Sequence, residues 1–196
     1  FTTMRYTLIQ SPQFSRARSK AVAKNETIHF SGRFLGMKER DGWEYAFRTN
    51  VSGVVVMVPV TADGELVLVE QYRTPVKSRV MELPAGLVGD DGDAEEDLET
   101  AAQRELDEET GYRAGYLEKL LTCPSTPGMS NEVVTILYAG DLERVGSGGG
   151  TDNEDIIVHH VPLASVPGWL DERMAEGIMI DPKIYAGLFW AGARHD

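Results

Sequence analysis

The chain has 196 residues, 42% hydrophobic and 26% charged, which suits a globular fold with a core of ordinary size. Its formal net charge of −12 excludes a general nucleic-acid binder, because that affinity rests on Lys and Arg neutralising phosphates. Cys123 is the only cysteine, which excludes an intrachain disulfide and fits a reducing compartment. There is no signal-peptide pattern and no apolar run long enough to span a bilayer, so no membrane partner and a cytoplasmic setting are expected.

Residues 1–25 read as an irregular arm carrying Arg5, Arg16, Arg18, Lys20 and Lys24, with Glu26 as the first acid. It is either a solvated tail or an arm that crosses onto an acidic partner subunit. Residues 27–37 and 43–49 follow as strands joined through the Asp41-Gly42 turn signal. The β-branched run 51–60 and the run 66–72, separated by Asp63-Gly64, read as a hairpin of the central sheet. A short strand at 80–83 leads into Pro84-Ala85-Gly86, and an acidic loop at 89–95 precedes a charged helix. Beyond the helix come an extended segment at 116–122, a strand at 133–142, a flexible glycine run at 146–150 and a strand at 156–161. Leu163, Val166, Trp169, Leu170 and Met174 recur at helical spacing, as do Ile184, Leu188 and Phe189. Runs of strands with few, separated helices point to the α+β class.

The helix holds the most informative chemistry. Residues 96–103 (EDLETAAQ) are good helix formers, and Gly111 supplies a left-handed cap. Between them, Arg104 to Glu109 places five charged residues in six positions. Acids at a helix C-terminus face the negative end of its dipole, at about 0.3–1 kcal/mol each. Glu105 and Glu109 are also like charges one turn apart, with Glu108 beside them. A cluster built against its own helix implies a cation, and carboxylates are the hard oxygen ligands that Mg²⁺ prefers.

The pattern Glu96, Arg104-Glu105-Leu106, Glu108-Glu109, Gly111-Tyr112 resembles the Nudix box of Nudix hydrolases. Nine residues separate Gly86 from Glu96, four more than the family leaves there, so the loop at 89–95 carries an insertion. Glu70-Gln71-Tyr72-Arg73, Glu82-Leu83-Pro84-Ala85-Gly86, the run 124–132 (PSTPGMSNE) and Asp152-Asn153-Glu154-Asp155 resemble its ADP-ribose pyrophosphatase and nucleotide-sugar hydrolase branch. The resemblance implies an α/β/α sandwich with a mixed sheet plus an N-terminal antiparallel β-layer. Residues 1–50 would build a homodimer, and residues 51–196 would form the catalytic domain.

It also implies the activity: Mg²⁺-dependent hydrolysis of ADP-ribose to AMP and ribose 5-phosphate, with Mn²⁺ as a substitute ion. Another nucleoside diphosphate derivative, GDP-mannose or UDP-glucose, is the close alternative. Glu105, Glu109 and the Ala85 carbonyl would hold metal. Glu108 would complete the cluster or hold water, and Arg104 would orient it. Glu96 is a ligand or a structural residue near the helix start. Glu154 is the candidate base, with Asp152 and Glu132 as competitors, on a glycine-bearing loop able to close over substrate. Arg73 is a phosphate clamp or a surface salt bridge. Trp43 stacks on a base or is a buried strand tryptophan. Glu82 accepts from base or ribose, and Met129 and Ser130 line the sugar pocket or an ordinary loop. His159 and His160 alternate on a strand and read as structural.

Two other classes compete with this reading. A silent Nudix-like ligand sensor would have lost box glutamates, and Glu105, Glu108 and Glu109 are all present. A Ca²⁺ loop at 90–96 would need an acid where Leu87 stands, which discards it.

Overall fold

The computed structural model describes residues 26–89, 96–151 and 154–195. The basic arm at 1–25, insertion residues 90–95 and Asp152 lie outside the described residues.

An antiparallel layer comes first: β1 (Glu26–Ser31), β2 (Leu35–Arg40) and β3 (Trp43–Arg48), in that order across the sheet. The single strand expected over 27–37 is two strands. The chain turns between them, with the Gly32 N–H donating to the Leu35 carbonyl at 2.8 Å. The turn expected at Asp41-Gly42 is present, both residues at positive φ (56° and 81°), as a type I′ hairpin requires.

The core is organised around β4 (Gly53–Pro59). It runs antiparallel to β7 (Ala85–Val88) and parallel to β9 (Val133–Arg144), whose other edge pairs with β8 (Tyr112–Pro124). A second sheet pairs β5 (Glu65–Arg73) with β6 (Ser78–Glu82) and β10 (Ile156–Pro162), and β11 (Met179–Ile180) runs parallel to β6. The expected hairpin of 51–60 with 66–72 is therefore corrected. The two strands enter different sheets and share only the Val60–Leu66 bridge. The reason is burial on both faces. Val56 and Val58 join one apolar cluster, and Val55 and Met57 join the other. A strand buried on both sides belongs in the middle of a fold, where β7 and β9 flank it.

Among the described residues, the α-helices α1 (Leu98–Thr110), α2 (Val166–Ala175) and α3 (Lys183–His195) complete the layers. On one face of β4, α1 packs through Ala101, Ala102 and Leu106. On the other face lie Leu66 and Leu68 of β5, Met81 of β6, Leu170 of α2 and Ile184 of α3. The result is the mixed α+β sandwich expected from the sequence. Fully burying Leu106 is worth about 1.5–3 kcal/mol. That outweighs any one acid at the helix end, so packing holds α1 in place despite its charges.

Candidate active site

Helix α1 begins at Leu98, two residues into the helix-forming run expected from 96. The Asp97 side chain accepts from the Thr100 N–H at 2.8 Å, and Gly111 closes the other end at φ 74°. Leu106 faces the core, while Glu105 and Glu109 lie against β7. Arg104 ties this face together. Its guanidinium donates to Glu105 Oε1 at 2.9 Å, to Glu96 Oε1 at 3.1 Å and to the Leu87 carbonyl at 3.2 Å. Glu108 Oε2 lies 3.6 Å from it. Glu96 also accepts the Gly89 N–H at 2.8 Å. Arg104 and that N–H hold its carboxyl below the usual range. Glu96 thus joins the two ends of the inserted loop, and the insertion leaves α1 intact.

Glu109 is buried, with its carboxylate accepting the Ala85 N–H at 3.0 Å. Burial, aided by the fields of Glu105 and Glu154 and opposed by Ala85 and Arg73, pushes its pKa up to about 8. Glu105 lies directly against Gly86. This donor set is oxygen-rich, partly buried and held at fixed positions, and it suits a small hard dication.

The glycine run at 146–150 is not a free linker. Gly149 N–H donates to the Glu109 carbonyl and Gly150 N–H to the Glu108 carbonyl, each at 2.9 Å. Val145 N–H reaches the Gly111 carbonyl at 2.8 Å. These amides satisfy carbonyls that a helix C-terminus leaves open, and they bring partial positive charge to it. Glycine is required because Gly148 sits at φ 67°, and a Cβ there would lie 2.4 Å from the Thr110 carbonyl carbon. The same loop delivers Glu154, whose carboxylate accepts the Thr151 N–H at 2.9 Å.

Arg73 and Glu82 are brought together: Arg73 Nε donates to Glu82 Oε2 at 2.7 Å. Burial raises the Glu82 pKa even so. Trp43 is 64% exposed, which corrects the buried-strand alternative. Its indole N–H reaches the Gly128 carbonyl at 3.3 Å. Trp43 and Ser130, with Arg40, Tyr45, Pro127 and Asn131, line a groove of about 260 Å³. Exposed Met129 borders it and accepts the Ala46 N–H through its carbonyl at 2.8 Å. Glu132 is paired with Arg48 Nε at 2.5 Å. Burial would raise its pKa, but the hydrogen bonds from Arg48 and Ser125 prevail and lower it. His159 bonds Glu70 at 3.1 Å and His160 bonds the Tyr112 hydroxyl at 3.0 Å, both within the scaffold.

Sequence reasoning did not single out Arg48, Arg79 or Lys183. Arg48 meets a residue 84 positions away, and Arg79 one 76 away, so neither pairing has a local signal. Lys183 pairs locally with Asp181, which also accepts the Lys183 N–H at 2.7 Å and starts α3.

The NUDIX domain pattern matches residues 51–178. An ADP-ribose pyrophosphatase of Saccharomyces cerevisiae is 41% identical over 161 residues, covering 75% of this chain and 68% of its own. One from Bacillus subtilis is 32% identical over 105 residues, covering 54% of this chain, and the chain spans only 55% of its length. Among solved structures, an ADP compounds hydrolase superposes with a TM-score of 0.62 over 84% of this chain and 88% of its own, at 24% identity, a likeness of fold. With a match of this extent and relatives above 30% identity, the chain belongs to the Nudix family.

Proposed function

We propose that this protein hydrolyses the pyrophosphate of ADP-ribose, giving AMP and ribose 5-phosphate, with Mg²⁺ as cofactor and Mn²⁺ as a substitute. The observation that carries the reading is the buried Glu109, its pKa pushed up to about 8 by burial, with Glu105 close by against β7. Relatives named for ADP-ribose hydrolysis support the substrate.

Glu105, Glu109 and the Ala85 carbonyl would hold the ion. Bound there, Mg²⁺ would neutralise the non-bridging oxygens and lower the pKa of a coordinated water. Arg104 keeps Glu105 and Glu96 in place, and Glu108 holds water at the exposed side of the cluster. Glu154 takes the proton of the attacking water as the bond between phosphorus and the bridging oxygen breaks. Arg73 exchanges Glu82 for a substrate phosphate, which its planar donors fit better than a lysine would. Glu82 is then free to accept from the ribose or base. Trp43 stacks on the base, and Ser130 and Met129 border the second sugar.

The N-terminal layer belongs to the same reading as the homodimer contact. Its exposed Ile28, Phe30 and Met37 support this. A cytoplasmic setting fits the lone cysteine. Among the described residues no helix is long and apolar enough to cross a membrane.

The test is phosphate release, through a coupled phosphatase, from ADP-ribose, GDP-mannose, UDP-glucose and dinucleotides, each with Mg²⁺ and with chelator. Metal-dependent release strongest on ADP-ribose is the expected result. Preference for a sugar nucleotide would replace the substrate, and silence on all with binding retained would favour a sensor.

A further inference from the structure

Arg79, on β6, makes more contacts than the neutralisation of a buried acid needs. Its Nε donates to the carboxylate of buried Glu70, and one terminal nitrogen reaches the Glu70 carbonyl at 3.1 Å. The second Glu70 oxygen faces His159 Nε2 at 3.1 Å, and the His159 ring packs on Trp169 with centroids 5.2 Å apart. The guanidinium is thus locked from behind. Its remaining donors go to one residue of another segment. One terminal nitrogen bonds Asp155 Oδ2 at 2.9 Å and the other the Asp155 carbonyl at 3.3 Å.

The Asp155 side chain is 82% exposed. An ion pair so open to water adds little stability. What a planar two-point grip on side chain and backbone does supply is orientation. Asp155 adjoins Glu154. At the other end of this segment, Gly149 and Gly150 are bonded to the last carbonyls of α1. The segment bearing Glu154 is therefore pinned at one end to the acidic helix and at the other to β6.

We propose that Arg79 is a positioning residue: by gripping Asp155 it fixes the neighbouring Glu154 carboxylate relative to Glu105 and Glu109. The inference rests on the hydrolysis proposed above with Glu154 as base. Glu70, His159 and Trp169 then serve as the mount for Arg79.

The experiment measures kcat, KM and Tm for Asp155→Ala and Arg79→Lys, each alone and in a Glu154→Gln background, on ADP-ribose with saturating Mg²⁺. Asp155→Ala leaves no buried charge behind, and Arg79→Lys keeps a cation beside Glu70 while losing the fork. A displaced catalytic group loses rate steeply, so kcat should fall about 10- to 100-fold. KM and Tm should stay near wild type. In the Glu154→Gln background neither change should lower kcat further, because both act through the group already removed. Unchanged kcat in both single variants overturns the inference. So does an equal loss in the Glu154→Gln background, or a loss confined to KM. A wild-type kcat for Glu154→Gln itself would overturn the base assignment and this inference together, whereas a slow Glu154→Gln with silent anchor variants overturns the anchor only.

Discussion

Glu105 approaches Gly86 so closely that a Cβ at Gly86 would lie 1.9 Å from Glu105 Cγ and 2.3 Å from Oε1. The bare backbone of β7 is what lets a carboxylate of α1 sit flat against the strand end. Gly86→Ala should leave the fold in place, because the obstructing atoms are a side chain that can swing away. The displaced carboxylate should then cost about 10–100-fold in Mg²⁺ affinity or activity, as other changes that misorient a ligand do. Calorimetric Mg²⁺ titration and kcat/KM of the variant check this, and wild-type values for both would refute the assignment of Glu105.

Glu109 should make metal binding strongly pH-dependent. Its pKa is raised from 4.5 to about 8, so the metal-free folded protein holds a proton there that the unfolded chain releases. Stability from this group is present at low pH and is lost as pH rises between those values. A cation must displace that proton. Mg²⁺ affinity should therefore rise about tenfold per pH unit up to about pH 8, with about one proton released per ion from this site. Titrations in buffers of different ionisation enthalpy measure both quantities, and a flat profile would contradict the prediction.

Glu109→Gln separates chemistry from folding. The amide mimics the protonated acid that burial favours, so the metal-free Tm should be unchanged or higher. Turnover should fall by orders of magnitude. Retention of near-wild-type kcat would remove Glu109 from the metal site.

Glu154→Gln should lower kcat about 10²- to 10⁴-fold, the range for a general base, with a small change in KM. A change in KM alone would make it a binding residue. Because Asp152 and Glu132 were competitors, the same assay on Asp152→Asn and Glu132→Gln should show smaller losses. Glu132, already paired with Arg48, is poorly placed to take a proton.

Gly148→Ala tests the docking of the glycine segment. The position combines a φ of 67° with backbone that an added Cβ would meet at 2.4 Å, and backbone cannot yield as a side chain can. Backbone strain of this kind is worth about 1–3 kcal/mol. The variant should lose that much stability, or else release the segment from α1 and lose kcat while Tm holds. Unaltered Tm and kcat would show that the close contact is not made in solution.

The charged face of α1 could be read from the chain because its logic is local. Residues one turn apart share a face whatever the rest of the protein does, and Gly111 marks the C-terminal end by backbone chemistry alone. The alternation of His159 and His160 and the Asp41-Gly42 turn were legible for the same reason. Tertiary structure decided everything that joins distant segments. Val51 to Val60 is a run whose sequence does not name its partners, and burial on both faces placed it between β7 and β9 instead of beside β5. The sequence assigned no strand to short β7, because its strand character comes from pairing with β4. The glycines at 146–150 look like a flexible linker until α1 is present to receive their amides. Arg73 with Glu82, Arg48 with Glu132 and Arg79 with Asp155 each pair an ordinary charge with a residue that only the fold brings within reach. Composition and spacing determined which residues form the acidic face of α1, since that follows from residue type and helical period. Which groups hold them in position was decided by long-range packing, which no local pattern encodes.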